Sequence, residues 1–148
     1  MVDIESLLTH LRELKEAYKD LLRYQQEVTF QDLKESRDKR NMVLHALLVS
    51  IQAAIDIANH LIVEEGLRRP ESYREAFDIL QENDLLPASL EEKLAELAGF
   101  RNVLVHLYFR LDLEEVFRIL QEDVGALKDF ASIVAKILNP PEDQEKKP

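Results

Sequence analysis

The sequence predicts an all-α fold: an antiparallel, up-and-down bundle of four to five helices with one long second helix. Three observations carry this. Apolar residues recur at spacings of three and four along nearly all of the 148 residues. Capping signals stand where most of these runs begin. Neither sustained alternation nor an Asn-Gly hairpin turn occurs, so strands are not expected.

The first helix spans residues 3–27, with Ile4, Leu7, Leu8, Leu11, Leu14, Tyr18, Leu21 and Leu22 on its apolar stripe. Thr29-x-x-Asp32 reads as a loose capping box and opens a second helix to about Glu65, where Gly66 supplies a stop. Such a helix would be about 50 Å long at 1.5 Å per residue. Its seam is Val43/Leu44, Leu47, Ile51, Ala54/Ile55, Ala58 and Leu61/Ile62. After Pro70, Ser72-x-x-Glu75 caps a shorter helix with Tyr73, Phe77 and Leu80 on one face, ended by Asn83-Asp84. Pro87 sits in the following turn. Ser89-x-x-Glu92 starts a fourth helix through about Phe109, and Asp112-x-x-Glu115 a fifth to Leu138. Pro140-Pro141 forbids continuation. The expected organisation is one domain over residues 1–138 and a disordered tail over 139–148.

Composition excludes several function classes. Three scattered glycines rule out a Gly-rich phosphate loop or dinucleotide fingerprint. The absence of cysteine rules out disulfides, a thiol nucleophile and a Cys-based zinc site. The four histidines show no metal-ligand spacing, and no Glu-x-x-His pair supports a di-iron bundle. No metal or cofactor is expected. The acidic start, the lack of an apolar run near 20 residues and the net charge of −10 point to a soluble cytoplasmic protein with no membrane contact.

Two windows depart from the acidic background. Residues 97–111, LAGFRNVLVHLYFRL, and residues 39–55 contain no Asp or Glu, although 29 of 148 residues are acidic. Such windows suit a phosphate-binding site. They are also the most apolar stretches, and core segments lack acids for that reason alone.

Spacing within RNVLVHLY adds to composition. The octet resembles the signature of HEPN-domain proteins and, more narrowly, the Arg-x4-His-x-Tyr version of the HepT toxin family, here Arg101, Asn102, His106 and Tyr108. The surroundings fit as well: a long helix bearing IDIANHLI, then RRPESYREAFDIL, a Leu-Pro turn, the motif helix and a closing helix. The resemblance covers about residues 35–135. It implies a metal-independent endoribonuclease, the toxin of a toxin–antitoxin pair. The partner would be an MntA-like nucleotidyltransferase that silences the toxin by AMPylating the motif tyrosine, Tyr108. The resemblance also implies a homodimer, with Arg and His of both chains meeting in a cleft. A non-catalytic partner of such a nucleotidyltransferase is the alternative.

The residues suit RNA cleavage on their own chemistry. A base must take the 2′-OH proton and an acid must protonate the leaving 5′-oxygen. Imidazole performs both near neutral pH, so two copies of His106 could divide the work. Arg101, forked and permanently cationic, would hold the phosphate and meet charge on its oxygens. Asn102 adds an amide. Outside this setting, His106 reads as a half-buried histidine, Arg101 as a surface ion-pair partner and Tyr108 as a bundle aromatic.

On a continuous helix Arg101 and His106 lie about 140° apart, while Arg101 and Tyr108 fall within about 20°. One helix face therefore does not hold both Arg101 and His106; a cleft shared between two chains could take both, and Arg101 at the surface with His106 in the core fits the angle equally. A polar stripe on the second helix, Asn41, His45, Gln52, Asp56 and Asn59/His60, suggests a cleft wall. Asp56 is its candidate for orienting Arg101 or His106. The cluster Lys34–Arg40 and the pair Arg68-Arg69 are candidates for tracking an RNA backbone, with ordinary solvated charge as the other reading.

Overall fold

Five helices of ten residues or more build the bundle in a computed structural model describing residues 4–139. They are α1 (Ile4–Glu27), α3 (Arg37–Glu64), α4 (Tyr73–Glu82), α5 (Ala88–His106) and α7 (Gly125–Leu138), joined by six-residue α2 (Phe30–Glu35) and α6 (Leu113–Arg118). Among the described residues there is no strand. The expected tail, apart from Asn139, lies outside the described residues.

The centre is α3, which packs against α1, α2, α4, α5 and α7. By length and composition α3 alone among the described helices would suffice to cross a bilayer, contrary to the expectation that no segment comes near that length. Its apolar residues are used inside the bundle instead, from Val43 through Ile51, Ile55 and Ala58 to Ile62. Phe77 of α4 meets Phe130 of α7 edge to face at 5.5 Å, closing the core at that end.

Two expected helices are divided, and side-chain hydrogen bonds accompany both divisions. The long second helix is broken at Ser36, whose extended backbone (φ −103°, ψ 108°) ends α2 while its Oγ caps α3 by accepting from the Lys39 N–H at 3.2 Å. Arg40 Nη1 stabilises the break, donating to the Leu33 carbonyl at 2.9 Å. The fifth helix is divided by a π turn at Ile119–Asp123. There the Leu120 carbonyl accepts from Gln25 Nε2 of α1 at 2.8 Å, and the buried Asp123 carboxylate pairs with Arg118 at 2.9 Å. The long helix is thus the third element.

Other boundaries follow their signals. Thr29 and Asp32 make both bonds of a capping box, each at 3.0 Å. Gly66 takes φ +64° after α3, a left-handed conformation that glycine adopts without steric cost. Ser72 Oγ caps α4. The fourth helix differs at both ends: Pro87 rather than Ser89 precedes it, with no side-chain cap, and it stops at His106 instead of Phe109.

Where α4 meets α5, a hydrogen bond with Asp78, followed by burial, pushes the Glu91 carboxyl up to about 7. An acid whose folded pKa exceeds its unfolded value holds an extra proton in the folded state, so stability falls as pH rises from about 4.5 through about 7. Glu91→Gln is expected to leave the melting temperature unchanged below that window. Above it, the variant should gain about 1 kcal/mol after allowance for solvent screening, read from thermal melts at both ends.

Candidate active site

The two acid-free windows lie against each other. The second occupies the N-terminal half of α3 and the first the C-terminal half of α5 with the turn after it, and two hydrogen bonds tie them. Arg101 Nε donates to Gln52 Oε1 at 2.8 Å, and the Tyr108 hydroxyl donates to Asn41 Oδ1. Much of each window is core, including Leu44, Leu47, Phe100 and Leu104. The polar residues between these apolar positions form the candidate site.

Arg101 is held on three sides. Besides the bond to Gln52, its guanidinium lies 4.9 Å from the centre of the Tyr73 ring, and Nη1 donates to Asn102 Oδ1 at 3.3 Å. No carboxylate pairs with it among the described residues, so the surface ion-pair reading does not describe it. Gln52 in turn donates from Nε2 to Asp56 Oδ1 at 3.0 Å. Asp56 therefore acts on Arg101 through an amide and makes no described contact with His106. A carboxylate at this remove orients the amide without neutralising the guanidinium, leaving its charge for an anion.

Asp56 has a second neighbour. His10 Nδ1 of α1 stands 3.9 Å from Oδ2, and the His10 and His60 rings are 5.5 Å apart. Among the described residues no three or more His, Cys, Asp or Glu side chains are grouped to hold a metal ion.

His106 is the last residue of α5 and is exposed, not half-buried. Since α5 is unbroken from Arg101 to His106, the angular separation of about 140° applies, and no described hydrogen bond joins the two. Val105 and Leu107 beside it are exposed apolar residues, at 42% and 47%. The relation expected between Arg101 and Tyr108 does not hold. Leu107 (φ −120°, ψ 30°) ends the helix, and Tyr108–Arg110 form a single 3₁₀ turn leading to the Asp112 cap of α6. Tyr108 thereby swings off the helix onto α3.

Beside Tyr108 lies a cleft of about 380 Å³ lined by Arg37, Arg40, Asn41, Leu44, Phe109 and others. The lining residues of α3 recur at i, i+3, i+4 and i+7, one face of its first two turns. The sequence sets Arg37 and Arg40 in a charge cluster, Arg40 also in an acid-free window, and Tyr73 on the apolar face of its helix within RRPESYREAFDIL. None of these signals joins Tyr73 to Arg101 or the two arginines to Tyr108. Two residues before Arg101, Gly99 leaves room for the Arg74 side chain, whose Nη1 lies 2.8 Å from the place of the missing Cβ.

Comparisons with known proteins find similarity over most of the chain. A family model described as Ribonuclease HepT-like matches residues 14–134. The chain is 29% identical over 124 residues to the mRNA nuclease HepT of Shewanella oneidensis, covering 84% of this chain and 86% of that protein. It is 32% identical over 140 residues to the tRNA nuclease HepT of Aphanizomenon flos-aquae, covering 93% and 92% respectively. Among solved structures, the tri-AMPylated HEPN toxin of Shewanella oneidensis in complex with its MNT antitoxin matches with a TM-score of 0.78 at 27% identity, over 91% of this chain and 98% of that one.

Proposed function

The chain belongs to the ribonuclease HepT-like family, and from that premise we propose that it is a metal-independent endoribonuclease of the cytoplasm, the toxin of a toxin–antitoxin pair. Arg101 and His106 are its catalytic residues, acting in a cleft formed by two copies of the chain. The observation that carries the reading is the state of Arg101, oriented by Gln52, Tyr73 and Asn102 with no carboxylate among the described residues to neutralise it. A guanidinium so placed is set to receive a phosphodiester.

In the proposed reaction one His106 takes the proton of the ribose 2′-OH, and the oxygen attacks the adjacent phosphorus. The bond to the 5′-oxygen breaks, and that oxygen takes a proton from the second His106. Arg101 meets the negative charge that grows on the non-bridging oxygens. The products are a 2′,3′-cyclic phosphate and a 5′-hydroxyl. Val105 and Leu107, exposed on either side of His106, supply an apolar surface for the second copy. The partner is a nucleotidyltransferase that transfers AMP to Tyr108, whose exposed hydroxyl at the rim of the cleft suits such an acceptor.

The test is RNA cleavage in EDTA with the product ends identified. Cyclic-phosphate ends support the reading. No cleavage by a freshly refolded, unmodified chain would overturn it in favour of a non-catalytic partner of the transferase.

Gln52 gives a finer prediction. Gln52→Leu removes the acceptor facing Arg101 Nε, and kcat is expected to fall about tenfold through misplacement of the guanidinium. Gln52→Glu keeps the size and the acceptor but sets a carboxylate on the guanidinium and against Asp56, so it should lose at least as much. Steady-state cleavage by the two variants separates positioning from mere packing.

A further inference from the structure

The cleft beside Tyr108 combines features that the cleavage reaction does not use. Its floor is apolar, with Leu44, Leu111 and Leu113, and its α3 rim carries two guanidinium groups. Arg40 is partly engaged with the Leu33 and Lys34 carbonyls. Arg37 is exposed and makes no ion pair among the described residues. Phe109 is 97% exposed, touching only the edge of the Tyr108 ring among aromatic neighbours. A large aromatic side chain left in water beside a cationic rim fits a base with its phosphate better than it fits an acidic peptide. The volume, about 380 Å³, is that of a pocket for one small ligand.

We propose that this cleft is a mononucleotide subsite in which Arg37 holds a phosphate and Phe109 stacks on a base, and that an RNA nucleotide and an adenylate carried on Tyr108 compete for it. The second half rests on the proposed function. In that step Tyr108 Oη attacks the α-phosphorus of a nucleoside triphosphate on the partner enzyme. The bond from that phosphorus to the bridging oxygen breaks, pyrophosphate leaves and the phenolic proton passes to solvent. The tyrosyl phosphodiester retains one negative charge and no longer has a hydrogen to donate to Asn41. Its phosphate then stands at the rim where Asn41 and Arg37 lie one helical turn apart. Silencing follows because the adenylate occupies the place of a substrate nucleotide in the cleft.

The experiment titrates adenosine 5′-monophosphate into the full unmodified chain, following the Tyr108 and Phe109 ring signals by NMR. Binding is expected in the wild type, about tenfold weaker in Arg37→Ala, with adenosine indifferent to that substitution. No binding, or equal binding by the two proteins, overturns the subsite. A second arm uses the chain adenylylated by its partner transferase and checked by mass spectrometry. Loss of the free nucleotide's binding supports competition, and unchanged binding overturns it. If no adenylate is found on Tyr108, the modification reading and the competition fail together, while the first arm still decides the subsite.

Discussion

Replacing His106 by Ala is expected to lower RNA cleavage about a thousandfold, the usual scale for losing a positioned proton-transfer group. The fold should be indifferent to the change. His106 is exposed at the last position of α5, and the capping bond of that helix end, from the Leu107 N–H to the Val103 carbonyl at 2.9 Å, is made by backbone alone. Arg101→Ala should match it in activity but cost some stability, because it also removes the contacts to Gln52 and Tyr73. Cleavage in EDTA alongside circular-dichroism melts checks both statements. A His106→Ala protein that cuts at the wild-type rate would remove His106 from the mechanism.

The unequal cost of these substitutions reflects how the two motif residues are held, and that difference is partly legible in the sequence. Helical periodicity and the Thr29, Ser72 and Asp112 caps locate the elements because those signals are local, each decided within a turn. The breaks at Ser36 and at the π turn are less legible. Each is accompanied by a bond that reaches past one helical turn: Arg40 back seven residues to Leu33, and Gln25 to Leu120, 95 residues on. The motif spacing identifies Arg101 and His106 as a pair, but their setting belongs to tertiary structure. Gln52 stands 49 positions before Arg101, and Tyr73 arrives on a different helix. Tyr108 illustrates the same limit. Its helical position on paper put it on the face of Arg101, whereas the end of α5 at His106 turns it to Asn41, 67 residues away.

Leu107→Glu is expected to weaken self-association about a hundredfold, because it would bury an unpaired carboxylate in the apolar contact proposed beside His106. Light scattering should then report 17.2 kDa in place of twice that mass. Cleavage should be lost in step with the dimer, although neither Arg101 nor His106 has been altered. The reason lies in the geometry of α5. With Arg101 turned toward α3 and α4, and His106 about 140° away around the same unbroken helix, one chain presents the proposed phosphate clamp and the proposed proton-transfer group in different directions. In the proposed dimer, a second chain related by a twofold axis would bring the His106 copies face to face. A mixing experiment separates this arrangement from two independent sites. When equal amounts of wild-type and His106→Ala chains reassort at random, the activity is about one quarter of that of the same total of wild-type chains if both histidines are needed and about one half if each acts alone. Survival of about one half would assign acid and base roles to different residues. Full cleavage by a Leu107→Glu monomer would return both roles to a single chain.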